Sequence, residues 1–160
     1  MPVSPIPDNY PVITPYLCVK GAAKAIDFYR EVFGATERLR IDGADGKVGH
    51  AELSLGRALL MLADEHPEMD FRSPESIGGS PVVIHLYVSD VDDVCRRAVA
   101  AGATLTRPVA DQFYGDRVGQ LRDPFGHRWS LATHKEDVSF EEMKRRAATM
   151  RTNNRATKDE

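Results

Sequence analysis

Cysteine is nearly absent: the 160 residues carry two, Cys18 and Cys95. They lie far apart without C-x-x-C spacing, which excludes a disulfide scaffold and points to a reduced, cytoplasmic protein. No run approaches the roughly 18 consecutive apolar residues of a membrane span, so no membrane partner is expected. An excess of one charge is missing too. Lys and Arg number 21 against 24 Asp and Glu, a formal net charge of −3, which argues against a nucleic-acid partner. Residues 1–15 lack the basic and apolar regions of a signal peptide. They hold prolines at positions 2, 5, 7, 11 and 15 instead, and proline fixes φ and disfavours helix before it. Residues 1–11 therefore read as an extended N-terminal arm.

What remains is long enough to bury one core. Alternation of Ile13, Pro15, Leu17 and Val19 with Thr14, Tyr16 and Cys18 predicts a strand over 12–19. A stripe of Ala22, Ala25, Ile26, Tyr29 and Phe33 predicts a helix over 22–33, stopped by Gly34. Strands follow at 36–41, 48–55 and 58–63, the last two joined by Gly56-Arg57 as a type II′ hairpin loop. The order then recurs: strand 82–88, helix 91–101 stopped by Gly102, and strands 104–107, 117–122 and 127–132. Text recurs in phase with it. Tyr16-Leu17-Cys18-Val19 corresponds to His85-Leu86-Tyr87-Val88, and Gly34-Ala35-Thr36 to Gly102-Ala103-Thr104. A duplication is the reading. Modules 12–65 and 82–135 form a single domain, 12–135, around a linker at 66–81, rich in Pro, Ser, Gly and acidic residues and of a kind often mobile or lid-like. A capping box at Ser139-Phe140-Glu141-Glu142 lies within a C-terminal helix at 136–150, and a polar, flexible tail covers 151–160.

The segments ITPYLCVKGAAKAIDFYREVFGA, HAELSLGRALLMLADE and FYGDRVGQLRDPFGHRWSLATHKEDVS resemble the vicinal-oxygen-chelate superfamily, the glyoxalase/bleomycin-resistance proteins, and within it PhnB-like members. The resemblance covers about residues 11–139. It implies an α+β fold of two βαβββ modules whose curved mixed sheets enclose a cavity, and it implies a homodimer. Metalloenzymes of the superfamily take a His, a Glu, a His and a Glu from strands one, four, five and eight. Alignment puts Thr14, Met61, Val83 and Ser130 there. Hydroxyls, a thioether and an isopropyl group are poor ligands for such an ion, and a one-residue slip would turn each strand over without supplying better ones. No cofactor is expected.

Strand parity then lists what lines the cavity. Candidate ligand contacts are Tyr16, His50, Glu52, Met61, His85, Tyr87, Gln120, Arg128 and Ser130, with Tyr114 and Arg117 from the Phe113-Tyr114-Gly115-Asp116-Arg117 cluster. His50 and Glu52 stand two apart on one strand face, about 7 Å between Cα atoms, suited to polar recognition or, in an enzyme, to acid–base catalysis. Three functions are open. One is metal-free binding of a small organic molecule, such as an antibiotic or toxic metabolite held out of circulation. Another is a glyoxalase-type lyase or isomerase, or a dioxygenase-like enzyme, using His50 and Glu52 or a divalent metal relocated to His50, Glu52 and His85. The third is a dimeric interaction module with a vestigial pocket.

Overall fold

The computed structural model describes residues 3–156. Strand β1 (Tyr16–Val19) leads into helix α1 (Ala22–Phe33), and strands β2 (Thr36–Asp42), β3 (Val48–Leu55) and β4 (Ala58–Asp64) complete the first module. The second repeats the order with β5 (Val83–Tyr87), α3 (Val91–Ala100), β6 (Thr104–Asp111), β7 (Asp116–Arg122) and β8 (Arg128–His134). Each module is one four-stranded mixed sheet, in the orders β1-β4-β3-β2 and β5-β8-β7-β6. In both, the first strand runs parallel to the last, and the other pairs are antiparallel.

Strand β1 starts four residues later than alternation predicts. Pro11 and Pro15 interrupt the entry, and Pro15 contributes only its carbonyl, which accepts from the Met61 amide at 2.9 Å. Gly34 ends α1 at φ 71°, a left-handed position that costs a residue without Cβ little. The duplication extends to how each helix begins. The Asp64 carboxylate, at the end of β4, accepts from the amides of Gly21, Ala22 and Val48 at 2.8–3.0 Å. Thr133, at the matching place in β8, accepts from the amide of Val91, the counterpart of Ala22, at 2.9 Å. Both satisfy helix N-terminal donors that have no intrahelical partner.

Between the modules the linker is folded. It contains a 3₁₀ turn (Pro67–Met69) and a short helix α2 (Pro74–Ile77), and the fully buried Ser73 donates its amide to Glu65, as does the Ser76 hydroxyl. These bonds hold the Glu65 carboxyl down to about 2. Helix α4 (Phe140–Ala156) follows the second module, with Ser139 accepting from the Glu142 amide as its cap. Positions 157–160 of the expected tail, and 1–2 of the arm, lie outside the described residues. Among the described residues no helix is long and apolar enough to cross a membrane.

The core lies between each helix and its sheet, and it continues from one module to the other. Ile26, Tyr29, Leu53, Leu62, Leu121, Trp129 and Leu131 are almost fully buried, each such side chain contributing about 1.5–3 kcal/mol by transfer. Tyr29 and Phe33 of α1 pack on Trp129 of β8, with ring centroids 5.5 and 4.6 Å away, and Phe125 stands edge-on to Tyr29. Polar links cross the same seam. Arg97 donates to the carbonyls of Glu31 and Val32 at 2.9 Å, and His127 Nε2 lies 2.9 Å from the carbonyl of Cys18.

This arrangement corrects one expectation. The sheets do not curve round to enclose a cavity. They are two separate open sheets, with β1 and β2 at the edges of one and β5 and β6 at the edges of the other. The modules use their apolar, helix-side surfaces to join each other, which leaves the opposite strand faces open. Tyr16, Val83 and Tyr87, expected inside a chamber, are 47, 40 and 59% exposed.

Candidate functional site

The open face of the first sheet carries the densest polar cluster. Tyr16 pairs across the ladder with Met61, and Met61 with Glu52, so β1, β4 and β3 align these three in one row. His50 lies two residues before Glu52 on the same face. The Tyr16 hydroxyl is 2.7 Å from His50 Nδ1, and His50 Nε2 is 3.3 Å from Glu52 Oε1. A neutral imidazole with its proton on Nε2 satisfies both contacts, accepting from Tyr16 and donating to Glu52. Glu52 is buried, and its two oxygens also accept from Tyr10 Oη at 2.9 and 3.0 Å. The result is an unbroken chain, Tyr10–Glu52–His50–Tyr16.

The two phenols are donors at neutral pH. The hydrogen bond to Glu52, with burial and the carboxylate charge, raises Tyr10, and burial followed by Cys18 and Glu52 raises Tyr16. Tyr16 stands edge-on to Phe71 at 5.7 Å and borders a recess of about 350 Å³ with Gly49, Ala63, His66, Met69 and Phe71. That volume is at the small end of ligand sites. The 3₁₀ turn of the linker forms one wall, held by paired backbone bonds between His66 and Phe71.

The second sheet brings another set together. His85 pairs with Ser130 in register, its Nδ1 3.1 Å from the serine hydroxyl, and Gln120 lies beside Ser130 on β7. Tyr87 stands edge-on to His85 and donates to Asp116 Oδ2 at 2.7 Å. Asp116 Oδ1 is 2.7 Å from His134 Nδ1, and His134 Nε2 is 3.0 Å from Asp137. Burial pushes the Asp116 carboxyl up, but the bonds from His134 and Tyr87 outweigh it and hold the group below its usual range. Tyr114 is half-buried, its phenol raised by burial and by Asp116. Arg128 is exposed and pairs with Val83.

Arg117 stands apart from both sets. Its guanidinium lies along Asp92 of α3 at 2.7 and 2.8 Å and reaches Asp111 at 3.1 Å, so it docks a helix and turns away from the open strand face. Parity explains this, because Val118 and Gln120 take the other face of β7. Tyr10, Phe71 and His134 belong to the clusters without having been singled out by pattern, and Asp116, named only as a member of its motif, bonds to Tyr87 and His134. His66 of the linker borders the recess as well.

The family model of the Glyoxalase/Bleomycin resistance protein/Dioxygenase superfamily matches residues 11–131. The chain belongs to this superfamily. An uncharacterized protein of Mycobacterium bovis is 46% identical to it over 136 residues, 83% of this chain and 90% of that protein. Among solved structures, TioX from Micromonospora sp. ML1 is 28% identical, covering 76% of this chain and 97% of its own, with a TM-score of 0.59. An Arabidopsis thaliana gene product, AT5G48480, is 27% identical over 77% of this chain and 98% of its own, with a TM-score of 0.62.

The superfamily's metal does not fit the residues at its usual positions here. Thr14 precedes β1 and has its hydroxyl 3.5 Å from the Pro11 carbonyl, Val83 has no lone pair, and the Ser130 hydroxyl is engaged with His85. Met61 offers a soft thioether. The relocated set of His50, Glu52 and His85 is not assembled either: among the described residues no group of three or more His, Cys, Asp or Glu could hold an ion.

Proposed function

We propose that this superfamily member binds a small organic molecule on the open face of its first sheet, without a metal. The observation that carries the reading is the Tyr10–Glu52–His50–Tyr16 chain beside the Tyr16/Phe71 recess, polar recognition next to an aromatic wall. Sequestration of an antibiotic or toxic metabolite fits such a site, because binding there needs no reacting group. Met61 borders this face, and His85, Tyr87, Gln120, Arg128, Ser130 and Tyr114 form the complementary face on the second sheet. The quoted strand and hairpin text supports a place in the PhnB-like branch, and two unpaired thiols support a cytoplasmic protein.

A homodimer belongs to the same proposal. Val12, Ile13, Val82 and Val83 are exposed apolar residues around the starts of β1 and β5, where a second copy would cover them. Light scattering at micromolar concentration gives the mass of a dimer, and a monomer overturns that part.

Mass spectrometry of native protein purified in chelator is expected to find a stoichiometric organic molecule. Its affinity should fall at least tenfold in Glu52→Gln and be unchanged by added zinc, nickel or manganese. Binding that requires one of these ions overturns the metal-free reading. The His50–Glu52 contact favours acid–base catalysis as a second reading, and turnover of the bound molecule that is lost in His50→Ala would establish it.

A further inference from the structure

Glu52 is a buried carboxylate that can only accept, and such a group is costly unless donors reach it. The repeated module supplies one, His50, at 3.3 Å. The shorter bonds, to both oxygens, come from Tyr10, a residue of the arm that precedes the module. The arm is otherwise lightly held. Val3 and Ile6 are exposed, and its other hydrogen bonds among the described residues are local, from Ser4 to the Ile6 carbonyl, from the Tyr10 amide to the Pro7 carbonyl and from Thr14 to the Pro11 carbonyl. The Arg38 guanidinium lies 5.3 Å over the Tyr10 ring, a platform for any aromatic group in that place. A ring-bearing donor, tethered from outside the module, thus fills the acceptor position of the candidate site.

We propose that Tyr10 is a built-in competitor for the ligand, which is itself an aromatic molecule carrying a hydroxyl or amine donor. The ligand places its ring over Arg38 and its donor on Glu52, and the arm lifts away. This rests on the binding site assigned above and specifies its ligand class. No covalent step is involved: one donor on Glu52 replaces another. A short tether keeps Tyr10 at an effective concentration of roughly millimolar, so release of this competition is large enough to measure.

The test titrates the full chain with p-cresol, the free form of the tyrosine side chain, and with toluene, which lacks the donor. Wild type, Tyr10→Phe and Tyr10→Ala are compared by NMR. Both variants are expected to bind p-cresol about tenfold more tightly than wild type, with no such gain for toluene. In wild type, saturating p-cresol should move the amide resonances of Asn9 and Tyr10 and speed their exchange. A purely structural Tyr10 would give destabilised variants with no gain in affinity, which overturns the proposal. Toluene binding as well as p-cresol, p-cresol binding with the arm unmoved, or no p-cresol binding to any form overturns it as well. If the co-purifying molecule still depends on Glu52 in any of those cases, the arm's role falls while the binding face stands.

Discussion

Replacing Asp123 with Ala is expected to cost more stability than any other single change in the second module's hairpin. Its carboxylate, 3% exposed, accepts four hydrogen bonds: from Tyr29 Oη at 2.7 Å and from Trp129 Nε1, the Phe125 amide and the His127 amide, each at 2.9 Å. Tyr29 and Trp129 are themselves almost fully buried, so no water replaces the lost acceptor. A buried donor left unpaired costs about 1–3 kcal/mol, and the two turn amides add about 1 kcal/mol between them. Relief from burying a carboxylate offsets part of this, leaving a net loss of about 3–5 kcal/mol. That is a large share of the roughly 5–15 kcal/mol a domain has.

Urea unfolding followed by the single tryptophan, with circular dichroism as the global probe, measures it. Tyr29→Phe removes one donor and should cost about 1 kcal/mol. Combined with Asp123→Ala it should cost clearly less than the sum, because the phenol then has no acceptor to lose. Asp123→Asn falls between, since its amide still accepts from the turn but presents a donor to Trp129. A loss below about 1 kcal/mol for Asp123→Ala at unchanged denaturant slope, or strict additivity with Tyr29→Phe, refutes the reasoning.

The hydrogen bonds to Asp116 and then Asp137 raise the His134 pKa above its ordinary value, so the stability this residue contributes is complete below that value and is lost as pH rises through the folded one. The stability gap between wild type and His134→Gln should therefore shrink on the alkaline side, and a gap constant from pH 6 to 9 contradicts it. In Gly115→Ala a new Cβ would sit 2.1 Å from the Glu136 carbonyl at φ 99°, so a loss of about 2–4 kcal/mol is expected in the same unfolding assay, and less than about 0.5 kcal/mol would show that the contact yields freely. Burial pushes the thiols of Cys18 and Cys95 up to about 11, so both should resist a disulfide-exchange reagent at pH 8 until urea exposes them, and rapid native labelling would be the contrary result.

Much of the fold was legible because it is local. The Ala22–Phe33 stripe, the Val48–Leu55 alternation and the Gly56 turn each satisfy a periodicity that a few residues announce. The His50–Glu52 pair was legible for the same reason. Tyr10 was not, because it meets Glu52 across 42 residues and nothing in a proline-rich arm marks one tyrosine as anchored. Phe71 hid in the linker, and nothing local to the last hairpin marks Asp123 as the acceptor for two aromatic donors. Parity correctly separated Gln120 from its neighbour but did not exclude Arg117, which was carried along by the motif beside it. Whether two strand faces close on each other is not a local property, and the expected chamber failed there.

The polar links across the seam of the duplicated fold are unequal in what they ask of each half. Arg97 and His127 end on main-chain carbonyls of Glu31, Val32 and Cys18, acceptors present whatever side chain those positions carry. Drift at 31 or 32 leaves these links intact, whereas drift at 97 or 127 removes them. The Tyr29–Asp123 bond, by contrast, asks for a side chain from each copy, so at this joint the first half is tied at position 29 and the second at 97, 123 and 127.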